Sequence, residues 1–189
     1  RSRLRVEVFE RRDRDLLFRP RYEPRIDNTD RIVAPLLPAP WVNSLNGRAR
    51  GWQAMWQRRS ANGLNGWVAY TYTGTRYDER VTGRRFVSDF ELTHQFQTFL
   101  SYRVRPTVNV SGRYVHATGL PLRGYFERRG AEYFLTQQRN LLRLPDYQRW
   151  DTRINKAYVR KKFQATLFAE VINLTNRRNL AIDDLTGYD

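Results

Sequence analysis

Residues 94–104 read HQFQTFLSYRV and residues 107–118 read TVNVSGRYVHAT, with only Arg105-Pro106 between them. In the first run Phe96, Thr98, Leu100, Tyr102 and Val104 alternate with Gln95, Gln97, Ser101 and Arg103, and Phe99 alone breaks the polar side. In the second, Val108, Val110 and Tyr114 alternate with Asn109, Ser111 and Arg113. Successive side chains of a strand point to opposite faces, so this period of two predicts two strands with one greasy and one wet side. The tight connection makes them antiparallel.

The pattern repeats on either side. Strands are predicted over about 3–11 (Leu4, Val6 and Val8 against Arg5 and Glu7) and 48–59 (Trp52, Ala54 and Trp56 against Gln53, Met55 and Gln57). Others follow at 66–77 (Val68, Tyr70 and Tyr72 against Ala69, Thr71 and Thr73), 94–104 and 107–118. The last two are 149–160 (Trp150, Thr152, Ile154 and Tyr158 against Asp151, Arg153 and Asn155) and 163–175 (Leu167, Ala169 and Val171 against Thr166, Phe168 and Glu170). Connections alternate between long, at 12–47, 78–93 and 119–148, and short, at 60–65, 105–106 and 160–162. Long structureless loops are uncommon in compact domains, whereas a transmembrane barrel puts tight turns at one end and long loops at the other. The expected fold is all-β: an antiparallel up-and-down meander of about seven strands, forming an open segment of a larger transmembrane β-barrel. The opening residues RSRLRV read as strand interior, an expectation that the chain is cut from something longer.

Composition narrows the choice. The 189 residues are 40% hydrophobic and 14% aromatic, with five Trp, eleven Tyr and ten Phe, a composition that favours strands over an aliphatic core. No run of about eighteen apolar residues exists, so no transmembrane helix is expected; barrel strands escape that test. The absence of cysteine excludes a disulfide scaffold, a Cys-zinc site and a thiol nucleophile. The net charge of +15 raises nucleic acid, anionic lipid and acidic ligands as partners.

Position decides among these. Trp56, Trp67, Tyr102 and Tyr158 fall near the short turns, and Tyr72, Tyr114 and Trp150 toward the long loops, as two aromatic girdles would. Aromatic packing in a soluble sheet is the plainer alternative. The short-turn ends carry Arg58, Arg59, Arg103, Arg105, Arg160, Lys161 and Lys162 without an acid. These cations either reach lipid phosphates or form a solvated rim.

The C-terminal half carries a family resemblance. NLLRLPDYQRWDTRINK at 140–156 resembles the stretch leading into a late barrel strand of TonB-dependent receptors, and FAEVINLTNRRN at 168–179 resembles the signature of their penultimate strand. GWVAYTY at 66–72, His94 with Ser101-Tyr102-Arg103, and Gly119-Leu120-Pro121 resemble further pieces of the same pattern, which covers about residues 1–180. The family's plug domain, its TonB box and its final strand have no counterpart here. The resemblance implies a bacterial outer-membrane location and TonB-energised uptake of a scarce ligand such as a siderophore, a corrinoid or an oligosaccharide. It implies as partners outer-membrane lipid and lipopolysaccharide, a plug domain and TonB reached through an N-terminal part, and an extracellular small ligand; nucleic acid is not expected.

Candidate site residues follow from the two sides of the wall. Arg5, Glu7, Gln53, Gln57, Gln95, Gln97, Asn109, Arg113, Asp151, Arg153, Asn155 and Glu170 are expected to face the lumen, where they either meet a plug and ligand or only stabilise the wall. Trp41, Tyr77, Arg123, Tyr125, Arg128 and Tyr133 lie in the predicted long loops, where aromatic and Arg side chains are favoured binding anchors. No catalytic group, cofactor or metal site is expected: His94 and His116 are the only histidines and lack the partner spacing of a zinc site or a triad. Asn62-Gly63-Leu64-Asn65-Gly66 is turn chemistry and not a phosphate loop. Two other classes stay open, a basic soluble β-protein that binds nucleic acid and a passive porin-like barrel.

Overall fold

The computed structural model describes residues 1–60 and 63–180. Every regular element among them is a strand: β1 (Ser2–Phe18), β2 (Arg25–Ile26), β3 (Ile32–Val33), β4 (Val42–Arg59), β5 (Leu64–Glu79) and β6 (Arg84–Val87), followed by β7 (His94–Arg105), β8 (Val108–Ala117), β9 (Phe126–Arg129), β10 (Glu132–Leu135), β11 (Tyr147–Val159) and β12 (Gln164–Val171). The main sheet runs β1-β4-β5-β7-β8-β11-β12 with every pair antiparallel, and β6 adds to the far end of β5. It is the expected up-and-down meander, and it is not closed: β1 and β12 are its two edges.

Several strands are longer than their apolar alternation suggests. β1 continues to Phe18 and β4 begins at Val42, so the first connection shrinks to 19–41. Arg11 to Asp15 holds no apolar residue, which hides its period, yet it stays in register with β4 as far as Asp13. There the ladder slips, Asp15 takes a φ of 55°, and pairing resumes at Leu16. Such a bulge re-aims the strand. At the other end β12 stops at Val171, short of the predicted 175. Asn173 and Asn176 adopt positive φ, and Arg177 returns to hydrogen-bond Gln148 and the Asp146 carbonyl, both at 3.1 Å. In the β4–β5 turn Gly63 has a φ of 86°, a conformation side chains resist. Asn62 and the C-terminal stretch 181–189 lie outside the described residues.

The register puts the greasy residues on one face. Leu4, Trp56, Val68, Thr98, Tyr114 and Trp150 form one cross-strand row, and Val6, Ala54, Tyr70, Phe96 and His116 form the next. Among the described residues no second layer covers them: Leu100 is 49% exposed, Val110 37%, Ile154 47% and Val171 49%. At half exposure each forgoes roughly 1 kcal/mol of burial, which over the whole face rivals the ~5–15 kcal/mol that stabilises a domain in water. The buried apolar side chains Leu45, Phe86, Tyr125 and Leu144 belong to the long-loop end and not to the sheet's middle.

Aromatics cross this face in two slanted rows. Toward the long loops Trp52 packs on Tyr70 (ring centroids 5.2 Å), Tyr72 on His94 (5.4 Å), Phe96 on Tyr114 (6.1 Å) and Tyr114 on Trp150 (4.2 Å). Toward the short turns the row is Trp56, Tyr102 and Tyr158. Trp56 is level with Thr98, four residues from Tyr102, and Tyr102 is level with Ile154, four residues from Tyr158. The row thus slopes steadily, as a horizontal line does across tilted strands. Trp67 does not belong to it: it pairs with Gln57 and Phe99 on the opposite face.

Candidate functional site in the long loops

All twelve polar residues singled out on the strands share the face opposite the aromatic rows. Glu7, Gln53 and Gln95 stand in one row; Arg5 and Gln97 in another; Gln57, Arg113 and Asp151 in a third. Arg153 and Glu170 pair directly, and Asn109 faces Asn155. The side chains knit locally: Glu7 accepts from Gln53 and pairs with Arg5, Arg149 donates to Asp151 at 3.1 Å, Arg153 reaches Glu170 at 3.7 Å, and Ser101 meets Asn109 at 3.0 Å. Asp151 stands opposite Arg113 in register, and Arg153 meets Glu170 across the next strand pair. Trp67 and Phe99 interrupt this face, and Phe168 lies beneath the Arg153 guanidinium at 4.0 Å.

The three long loops, 19–41, 80–93 and 118–146, meet at Arg139. This side chain is 3% exposed and donates to Glu23 of the first loop at 2.6 and 2.8 Å. It also donates to Asp89 of the second loop, and its guanidinium lies 4.8 Å from the Phe86 ring centre and 5.5 Å from that of Phe18. Burial works against the charge of Asp89. Hydrogen bonds from Arg139 and Asn140 and the nearby Arg123 outweigh it and hold the carboxyl below its ordinary range. Asn140, with a φ of 60°, donates to the Val87 carbonyl at 2.7 Å and to Asp89 at 2.6 Å. Arg143 adds a second tie, donating to Glu91 at 2.8 Å.

Above this hub opens a cleft of about 560 Å³. Its walls are aromatic, with Phe18, Tyr22, Trp41, Tyr77 and Phe90, and Arg139 forms part of the floor. Arg19 lies over Trp41 (4.5 Å to the ring centre) and Tyr22 (5.1 Å), and its Nε is buried without a hydrogen-bond partner among the described residues. Arg123 stands over Phe90 at 5.9 Å and pairs with Asp89 at 3.3 Å. Arginine packed by its apolar plane against ring faces, as Arg19 is, suits an anion. The chemistry on offer is the grip of a small, partly aromatic or anionic molecule.

Of the six residues assigned to long loops from the sequence, Trp41, Tyr77 and Arg123 line this cleft, but Tyr77 does so from within β5, paired with Gly47 and Phe86, and not from a loop. Tyr125 is not among the lining residues; it is buried at 3% exposure, where desolvation raises its phenol's pKa. Arg128 and Tyr133 sit on the β9–β10 hairpin, where Arg128 donates to the Gly130 carbonyl and Tyr133 stays exposed. Sequence reasoning missed Arg19, Glu23, Asp89 and Arg139. The usable signal was charge: both acids lie in long loops crowded with arginine. The two histidines take partners elsewhere: His94 shares a 2.7 Å hydrogen bond with Tyr70, and His116 lies 3.4 Å from Asp146. No family model, curated protein or solved structure matches the chain.

Proposed function

We propose that this chain is part of the wall of an outer-membrane receptor barrel of the TonB-dependent kind, and that its joined long loops capture a small extracellular ligand. One observation carries the reading: a single-layer meander keeps a continuous greasy face uncovered while the long loops, all at one end, fold into a cleft. In water that face is a liability; against hydrocarbon it is solvated, and the polar side then borders an enclosed interior. The sloping aromatic rows support it, since such girdles mark both membrane interfaces.

The chain contains no cysteine, so single nitroxide labels can be placed freely. In outer membranes, labels at Leu100, Val110 and Ile154 are expected to collide with lipid-dissolved oxygen, and labels at Ser101, Asn109 and Asn155 with a water-soluble relaxant. Equal water access on both faces defeats the reading.

One feature favours a soluble nucleic-acid binder instead. Exposed rings such as the Tyr114–Trp150 stack, on a chain of charge +15, resemble a platform for unpaired bases. That reading requires a detergent-free monomer whose affinity for single-stranded DNA falls steeply with salt.

A further inference from the structure

Two arginines are buried at the loop end, and they differ in their company. Arg139 is met by the carboxylates of Glu23 and Asp89. Arg25, which opens β2, is only 9% exposed, and its Nε and Nη1 are sealed from solvent without a hydrogen-bond partner among the described residues. Among those residues no carboxylate pairs with it. The two acids nearest in sequence are engaged elsewhere: Glu23 gives both oxygens to Arg139, and Asp27 accepts from Thr29 and Arg31 within its own turn.

The surroundings are cationic. Arg84, Arg139 and Arg25 all act by charge on the Tyr125 phenol, opposed there by Glu23. Arg84 lies 5.2 Å from the Tyr125 ring centre and donates to the Gln137 carbonyl at 2.8 Å. Burial raises the phenol's pKa, so at neutral pH it is a donor and adds no negative charge. The place is also tied down. Ile26 donates its N–H to the Thr136 carbonyl at 3.3 Å, and Gln137 donates to the Asp27 carbonyl at 3.0 Å. Arg25 is not among the residues lining the aromatic cleft, so a molecule seated there does not reach it.

A charge taken out of water needs a counter-charge as well as hydrogen bonds. A buried water would satisfy the two orphaned donors and leave the cation unneutralised. A halide takes about the room of one water and supplies both at once. Carboxylates and phosphates are larger and would have to part the hairpin from the third loop.

We propose that Arg25 is the seat of a bound chloride ion, held by Nε and Nη1 where the β2–β3 hairpin docks on the 118–146 loop, and that this ion fastens the first long loop to the third. The seat is separate from the ligand cleft and does not depend on the membrane reading.

The test keeps the detergent-solubilised protein at fixed sodium and ionic strength and replaces chloride by gluconate, an anion too large for the seat. Deuterium uptake is read across 19–41 and 118–146. In chloride at about ten times its dissociation constant, uptake there should be about tenfold slower than in gluconate, and bromide should act as chloride does. The β7–β8 ladder should not respond. Arg25→Met should abolish the difference, and Arg128→Gln, on the exposed β9–β10 hairpin, should keep it. A second measurement needs no variant: crystals grown in bromide should show anomalous density beside Arg25 Nε and Nη1. Equal uptake in chloride and gluconate overturns the site. So does a halide response that survives Arg25→Met, or a bromide map empty at Arg25. Should Arg25→Met fail to fold, the wild-type salt series and the bromide map decide.

Discussion

Arg139 is nearly sealed from water and makes charge-assisted hydrogen bonds to two loops other than its own. Removing one member of a buried ion cluster strands the others, at a cost of about 3–5 kcal/mol. Arg139→Met should therefore loosen all three long loops, read as faster proteolysis in 19–41 and 80–93, while the strand ladder keeps its protection. Arg139→Lys should not restore them, because one ammonium cannot reproduce the fork shared by Glu23 and Asp89. The same cluster sets a pH limit. The Asp89 carboxyl is held below its ordinary pKa of 3.8, so its contribution is complete above that value and is lost as pH falls through the lower, folded one. Amide exchange in the loops should stay slow from neutral pH down to about 4 and accelerate below it, and Asp89→Asn should abolish that acid step.

At the level of elements, the strands were legible wherever apolar residues marked every second position. β7 and β8 begin and end within one residue of the predicted 94–104 and 107–118. Legibility failed where polarity stopped alternating. Arg11 to Asp15 looks like a loop by composition, yet Arg11, Arg12 and Asp13 pair with β4 because the ladder, and not burial, holds them. Part of the cleft was invisible for the same reason: Phe18 and Arg19 join it only because β1 runs on past the polar stretch 11–15 to Phe18. Arg139 was unreadable because its partners lie more than one hundred residues away for Glu23 and fifty for Asp89. Loop packing also rests on one small residue. A Cβ on Gly119 would run into the Leu144 carbonyl, beside the Pro121–Arg143 bridge. Gly119→Ala should open the 118–146 loop, visible as new protease cleavage there with strand content by circular dichroism unchanged.

For the molecule as a whole, the two edges left unpaired among the described residues matter most. β1 and β12 each present an open row of backbone donors and acceptors, and the face between them is greasy. Residues 1–189 expressed alone should aggregate without detergent; a heat-resistant monomer that stays soluble in buffer would contradict this. The described structure, with its single layer and uncovered face, is what alternation and loop length predicted. The location of the ligand cleft was not, since it depends on how three distant loops converge.

That convergence has a dynamic outcome. With the Arg139 guanidinium riveting three separate flaps, and Asn140, Arg143 and Gln137 stitching them further, none of them can swing without dragging its neighbours. Deuterium uptake across 19–41, 80–93 and 118–146 should follow one shared time course, and a molecule that seats against any single flap should slow the other two by the same factor.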